Sequence, residues 1–82
     1  MNSAENLFNS MGYIKSLDDN NMIIYIKMIR ENVVKRIDFR KNSKCFSSSC
    51  FDICGNDVSH GKISEDELHA IVKQCSELGW QI

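Results

Sequence analysis

Two kinds of hydrophobic periodicity run along the chain, and they occupy different places. At the ends, apolar residues recur every three or four positions. Ala4, Leu7, Phe8 and Met11 are spaced i, i+3, i+4, i+7, and Leu68, Ile71, Val72, Cys75 and Leu78 keep the same rule over three turns. That is the stripe of an amphipathic helix. Both helices also carry end signals. Ser64 with Glu67 three residues later forms a capping box, with Ile63 and Leu68 placed as its hydrophobic staple. Glu65, Asp66 and Glu67 load the first turn with negative charge, which suits the positive end of the helix dipole. Asn2 with Glu5 is the corresponding cap of the first helix. "FNSMGY" and "CSELGW" share one stop signal, in which Gly12 or Gly79 takes the left-handed position. The aromatic that follows, Tyr13 or Trp80, folds back on Phe8 or Cys75.

Between the helices the runs are short, β-branched or aromatic, and bounded by turn residues, which is the pattern of strands. Strands are expected at 13–17, 22–29, 33–39 and 45–53, separated by "DDNN", "REN" and "RKNSK". "CGNDVSHGK", residues 54–62, reads as a loop. In the second strand Met22, Ile24, Ile26 and Met28 are all apolar, whereas Ile23, Tyr25, Lys27 and Ile29 are mixed. Side chains alternate across a sheet, so the uniform set is expected to face the core and the mixed set a wetter surface. In the third strand Val33, Ile37 and Phe39 share a face, with Arg36 and Asp38 opposite. The pattern predicts one small α+β domain over residues 1–82, ordered α-β-β-β-β-α. Short links favour an antiparallel four-stranded meander with the two terminal helices packed on one face.

Composition narrows the class. With 82 residues and 43% apolar content, the chain supports one core and a net stability of only a few kcal/mol. Ten Ile, eight Asn and seven Lys with no Pro point to AT-rich codons. The first ten residues lack a basic segment followed by a long apolar run, so no secretory signal is expected. The longest apolar stretch, 22–29, is broken by Lys27 and falls far short of the ~20 residues a membrane span needs. A cytoplasmic protein with reduced thiols and no membrane partner is the expectation.

Three of the four cysteines crowd into "CFSSSCFDIC". Cys45 and Cys50 are an odd number of positions apart, so a regular strand sends them to opposite faces. Cys50 and Cys54 would share a face but lie roughly 13 Å apart at ~3.3 Å per residue, too far for thiolates that each sit about 2.3 Å from zinc. Only a hairpin or bulge in Ser47–Ser49 would make Cys45, Cys50 and Cys54 converge, so a metal-dependent protein is the weakest reading. His60, in a loop, and His69, beside the helix stripe, are the only histidines. No nucleophile–base spacing, phosphate-binding glycine loop or carboxylate pair stands out. The expectation is a non-enzymatic protein with no catalytic, metal or cofactor-binding residues.

Charge is the one asymmetric property. Residues 27–44 hold seven Lys and Arg against two acids, while the remaining segments hold three Lys against nine acids. A basic sheet with an exposed aromatic can bind single-stranded nucleic acid; the plainer account is that Lys and Arg keep solvent-facing strands from aggregating. The mixed face of the second strand, with Ile23, Tyr25, Lys27 and Ile29 beside Arg36, is the candidate partner surface. It suits an unidentified protein partner or a weak homodimer, with nucleic acid bound through the basic segment as the alternative.

"AENLFNSMGY" and "ISEDELHAIVKQCSELGW" resemble the ends of a family of short, uncharacterised proteins of Firmicute genomes and prophages. In that family an "LF…GY" helix precedes a strand-rich middle, and the chain finishes in a helix ending "ELGW" or similar. The resemblance covers about a third of the chain and leaves out "CFSSSCFDIC". It implies a setting in a bacterium or prophage and carries no activity, cofactor, partner or functional residue; the role expected of the chain is that of a small accessory or interaction protein.

Overall fold

The chain, seen in a computed structural model, is described over residues 3–52, 54–60 and 62–80, with backbone alone for residues 57–60. Its elements are α1 (Ala4–Ser10), β1 (Ile14–Asp18), β2 (Met22–Arg30), β3 (Val33–Arg40), β4 (Cys45–Asp52), β5 (Asp57–His60) and α2 (Glu65–Glu77). All neighbouring strands pair antiparallel, in the spatial order β1-β2-β3-β4-β5. The expected α+β meander with terminal helices is therefore present. One strand was not expected: β5 arises from the segment that reads as a loop and pairs with β4 through Cys50 and Ser59. The turn into it is built by Asp52, whose carboxylate accepts from the Cys54 and Asn56 amides, and by Gly55 at φ +88°. "DVSH" holds a single large apolar residue, so its pairing leaves no periodicity to read.

Both helix stops follow the residue pattern. The Tyr13 amide donates to the Phe8 carbonyl and the Gly12 amide to Asn9, each at 3.0 Å, with Gly12 at φ +92°. At the other end Trp80 donates to Cys75 at 2.9 Å and Gly79 to Ser76 at 3.0 Å. Both are the paired bonds of a Schellman motif. The Ser64–Glu67 capping box is complete. The cap of α1 is Ser3, which accepts from the Asn6 amide at 3.1 Å. The expected cap, Asn2, lies outside the described residues. A further free amide at the start of α1, that of Ala4, donates to the Glu77 carboxylate at 2.8 Å. Tyr13, just past the end of α1, bonds Glu67 at the start of α2. The two helices therefore run antiparallel.

The core lies between the helices and one sheet face. Phe8, Ala70, Ile71 and Cys75 meet Ile23, Tyr25, Ile37 and Phe39 there, together with Tyr13. Phe8 stacks on Tyr25 with ring centres 4.0 Å apart and meets Tyr13 edge-on at 5.5 Å. This reverses the expected orientation of β2. Tyr25 is fully buried and Ile23 nearly so, whereas Met28, of the uniformly apolar set, is 68% exposed. The reason is register. Ile23 lies opposite Phe39 and Tyr25 opposite Ile37, and opposed residues share a face. The Val33/Ile37/Phe39 side of β3 binds the helices and carries the mixed side of β2 with it.

The buried stripe of α2 is rotated in the same sense. It consists of Glu67, Ala70, Ile71, Gln74 and Cys75, while Leu68 and Val72, expected inside, are about half exposed. Two polar residues face the core because the tyrosines there need acceptors. The Tyr25 hydroxyl donates to Gln74 Oε1 at 2.6 Å, and the Tyr13 hydroxyl donates to Glu67. Buried phenols without partners cost about 1–3 kcal/mol each. These bonds favour the 67/70/71/74 face over the more apolar alternative.

Candidate docking face

With both helices on one side, no described helix covers the other side of the sheet. Strand pairing sets its composition. Ile14 lies opposite Ile26 and Leu17 opposite Ile24. Met28 lies opposite Val34, which in turn faces Phe51. With Met22, these form a continuous apolar strip over β1 and β2 that turns onto β3 and β4 at one end. Ile14 is 61% exposed, Leu17 37% and Met28 68%. A bulge between Lys15 and Leu17 keeps both Ile14 and Leu17 on this side.

Beside the strip runs a polar row. Asp38 is almost fully buried and accepts from Arg36 at 3.2 Å and from the Ser47 hydroxyl; Arg40 approaches it at 3.9 Å. One carboxylate thus bonds the Arg36 guanidinium and lies near that of Arg40. Arg36 and Arg40, with Asn21, Met22, Asn42 and Ser43, line a notch of about 420 Å³ at the end of the strip.

A second opening, of about 850 Å³, lies on the helix side where α2 begins. Met11, Lys27, Ile29, Cys50 and Lys62 line it above the Lys35–Glu67 pair. The Lys35 ammonium donates to both Glu67 oxygens at 2.9 Å and to the Lys62 carbonyl. Burial pushes the Glu67 carboxyl up, but donors from Tyr13, Lys35 and the Ser64 amide outweigh it and hold the group at about 2, below its ordinary 4.5. Burial, reinforced by the Glu67 bond, holds the Tyr13 phenol well above its usual value. Burial pushes Tyr25 up to about 12. The hydroxyls of Tyr13 and Tyr25, the Lys35 ammonium and the Glu67 carboxylate each have a hydrogen-bond partner, as a structural network requires.

The five residues expected to form one partner surface are divided. Ile23 and Tyr25 are buried under the helices. Lys27 is on the same side, half-buried, with its ammonium 4.9 Å from the centre of the Tyr13 ring. Ile29 is 45% exposed at the mouth of the larger opening. Arg36 alone lies on the open face. The expectation that Lys27 and Arg36 flank an exposed Tyr25 is therefore corrected, because they point to opposite sides of the sheet. The residues that sequence reasoning missed are Ile14, Leu17, Met22, Ile24, Ile26, Met28, Val34 and Phe51. Their signal was the unbroken apolar alternation of β2, which marks a face but not what covers it.

The cysteines do not gather. Cys45 is exposed opposite Arg40 on the open face, Cys50 is buried opposite Lys35 on the helix face, and Cys54 is exposed in the turn after β4. Among the described residues no group of three His, Cys, Asp or Glu side chains is placed to hold a metal ion. Among the same residues no helix is long and apolar enough to cross a membrane. Comparison of the chain with protein-family models, with curated proteins and with solved structures found no match.

Proposed function

We propose that this chain is a non-enzymatic interaction domain that docks through the open face of its sheet, in an accessory role in a bacterium or prophage. One observation carries the docking: among the described residues no helix covers the sheet face opposite α1 and α2, and its β1–β2 half is apolar. Contiguous exposed apolar surface of this kind marks interaction sites in soluble proteins. The notch between Arg36 and Arg40 adds donors at the margin, as the polar rim of an interface does. The setting in a bacterium or prophage rests on the resemblance of the two helical ends. The nucleic-acid alternative is weaker than its sequence suggested, because Tyr25, the ring on which a base would have stacked, is fully buried.

The test is affinity capture from cells with the wild-type chain, with Ile14→Glu and Met28→Glu, and with Val72→Glu on the outer side of α2. Ile14 and Met28 are mostly exposed and Val72 about half exposed, and none belongs to the buried core. Partners lost with the first two variants and kept with the third support the reading. Partners indifferent to the open-face variants overturn it.

A further inference from the structure

The opening of about 850 Å³ at the start of α2 lies on the helix side of the sheet, away from the docking face. Its volume falls within the ~300–1,000 Å³ usual for small-molecule sites. The lining has two parts. Met11, Ile29 and the buried Cys50 supply apolar wall, and three lysines stand against two carboxylates, leaving one net positive charge. The Lys35 ammonium is taken by both Glu67 oxygens at 2.9 Å and by the Lys62 carbonyl. Lys62 and Asp66, both exposed, offset each other in formal charge at the rim. Lys27 differs from the other two lysines in being half-buried and fixed without an acid. Among the residues whose side chains are described, no carboxylate pairs with its ammonium. The ammonium instead rests 4.9 Å from the centre of the Tyr13 ring. A ring face attracts a cation but leaves its other hydrogen-bond donors unused. The stem is held as well, because it passes Gly12 so closely that a Cβ there would lie 3.3 Å from the Lys27 Cδ.

We propose that this opening binds a small amphipathic carboxylate, with its head on the Lys27 ammonium and its apolar body along Met11, Ile29 and Cys50. The site is separate from the docking face and stands or falls independently of it. The chemistry of the lining selects the ligand. A neutral apolar molecule would cover Lys27 and desolvate its charge without a partner, which is costly. A small polar anion would leave the apolar wall unused. The single net charge suits a monoanion better than a phosphate dianion, which would bring a second charge towards Asp66 and Glu67. The floor is preorganised. Glu67 is already engaged by Lys35, the Tyr13 hydroxyl and the Ser64 amide, so it does not draw Lys27 away from an incoming head group. Tyr13 and Gly12, which hold Lys27, belong to the stop of α1. The signal that ends the helix thus also sets the cation at the wall.

Nuclear magnetic resonance titration of the full chain tests this with four probes: octanoate, octan-1-ol, acetate and inorganic phosphate. Octanoate is expected to shift the amide signals of Lys27, Ile29 and Cys50 with a dissociation constant below ~1 mM. Acetate, which lacks the apolar body, and octan-1-ol, which lacks the charge, are expected to bind at least ~tenfold more weakly, and phosphate no better than acetate. Lys27→Met keeps the stem and removes the charge, and Ile29→Glu places a carboxylate at the half-exposed mouth. Each is expected to weaken octanoate at least ~tenfold, and Val72→Glu to leave it unchanged. Circular dichroism shows whether each variant is folded, and Ile29→Glu carries the test if Lys27→Met is not. Three results overturn the proposal. One is no binding of octanoate up to ~10 mM. Another is binding that shifts Ile14, Ile24 and Met28 on the open face instead. The third is octanoate binding that octan-1-ol or phosphate equals, or that folded Lys27→Met or Ile29→Glu retains in full.

Discussion

Glu67 joins three parts of the molecule through one carboxylate. It closes the capping box of α2 by accepting from the Ser64 amide, it accepts from Tyr13 beyond α1, and it pairs with Lys35 on β3. Removing it leaves a nearly buried ammonium and a buried phenol without their acceptor. Glu67→Ala is therefore expected to lower the unfolding free energy by about 3 kcal/mol, the lower end for a broken buried pair, as read by urea denaturation. The sign of the pH dependence follows from the depressed carboxyl. Its stabilisation is complete above the unfolded value near 4.5 and is lost as pH falls toward about 2. The urea midpoint of the wild type should drop across that window more steeply than that of Glu67→Gln. Tyr25 works in the opposite direction. Its phenol is raised from 10 to about 12, so stability is complete below pH 10 and falls as pH rises through 12. Absorbance at the phenolate band should show Tyr25 ionising only with alkaline unfolding. Of these roles, only the cap was legible in the residue order, because Ser64 and Glu67 are local partners. Lys35 and Tyr13 are 32 and 54 positions from Glu67, and no spacing rule reaches that far.

The helices stop where they do because a glycine follows each. Gly79 sits at φ +79° with open space where a Cβ would go. Gly79→Ala should therefore cost only the backbone strain of a left-handed alanine, about 1 kcal/mol. Gly12 is at φ +92°, and its Cβ would also press on the Lys27 stem at 3.3 Å. Gly12→Ala should therefore cost more than Gly79→Ala, and paired thermal or urea unfolding curves check the order. End signals of this kind were readable because a cap is completed within six residues. The face each element buries was not. Leu68 and Val72 extend the apolar stripe of α2 on paper, yet the helix turns Gln74 and Glu67 inward to meet the phenols of two other elements. β5 escaped notice for a related reason: an edge strand can form from backbone pairing alone, and "DVSH" carries no alternation to announce it.

For the whole molecule, the fold separates the charge that looked continuous in sequence. Lys27 and Lys35 lie on the helix side of the sheet, and Arg36 and Arg40 lie on the open side beside Asp38. The basic segment is thus not one phosphate-binding surface. Single-stranded DNA is expected to bind no tighter than the nonspecific range, roughly 10⁻⁴–10⁻⁶ M at physiological salt. Fluorescence anisotropy at ~150 mM salt checks it; a submicromolar constant abolished by Arg36→Glu would contradict the interaction-domain reading. The sequence alone determined the α+β class, the order of the helices and the four-stranded meander, and both helix stops. Each of these follows from contacts between near neighbours or from periodicity, which are written locally. The tertiary structure decided which side of β2 is covered. Both sides are apolar enough to be buried, and the choice fell to the register with β3, whose Ile37 and Phe39 bring Tyr25 and Ile23 inward. With one helix layer for two apolar faces, the richer one was left outside, because the covered one offered the aromatic rings and phenols that Phe8, Glu67 and Gln74 could satisfy.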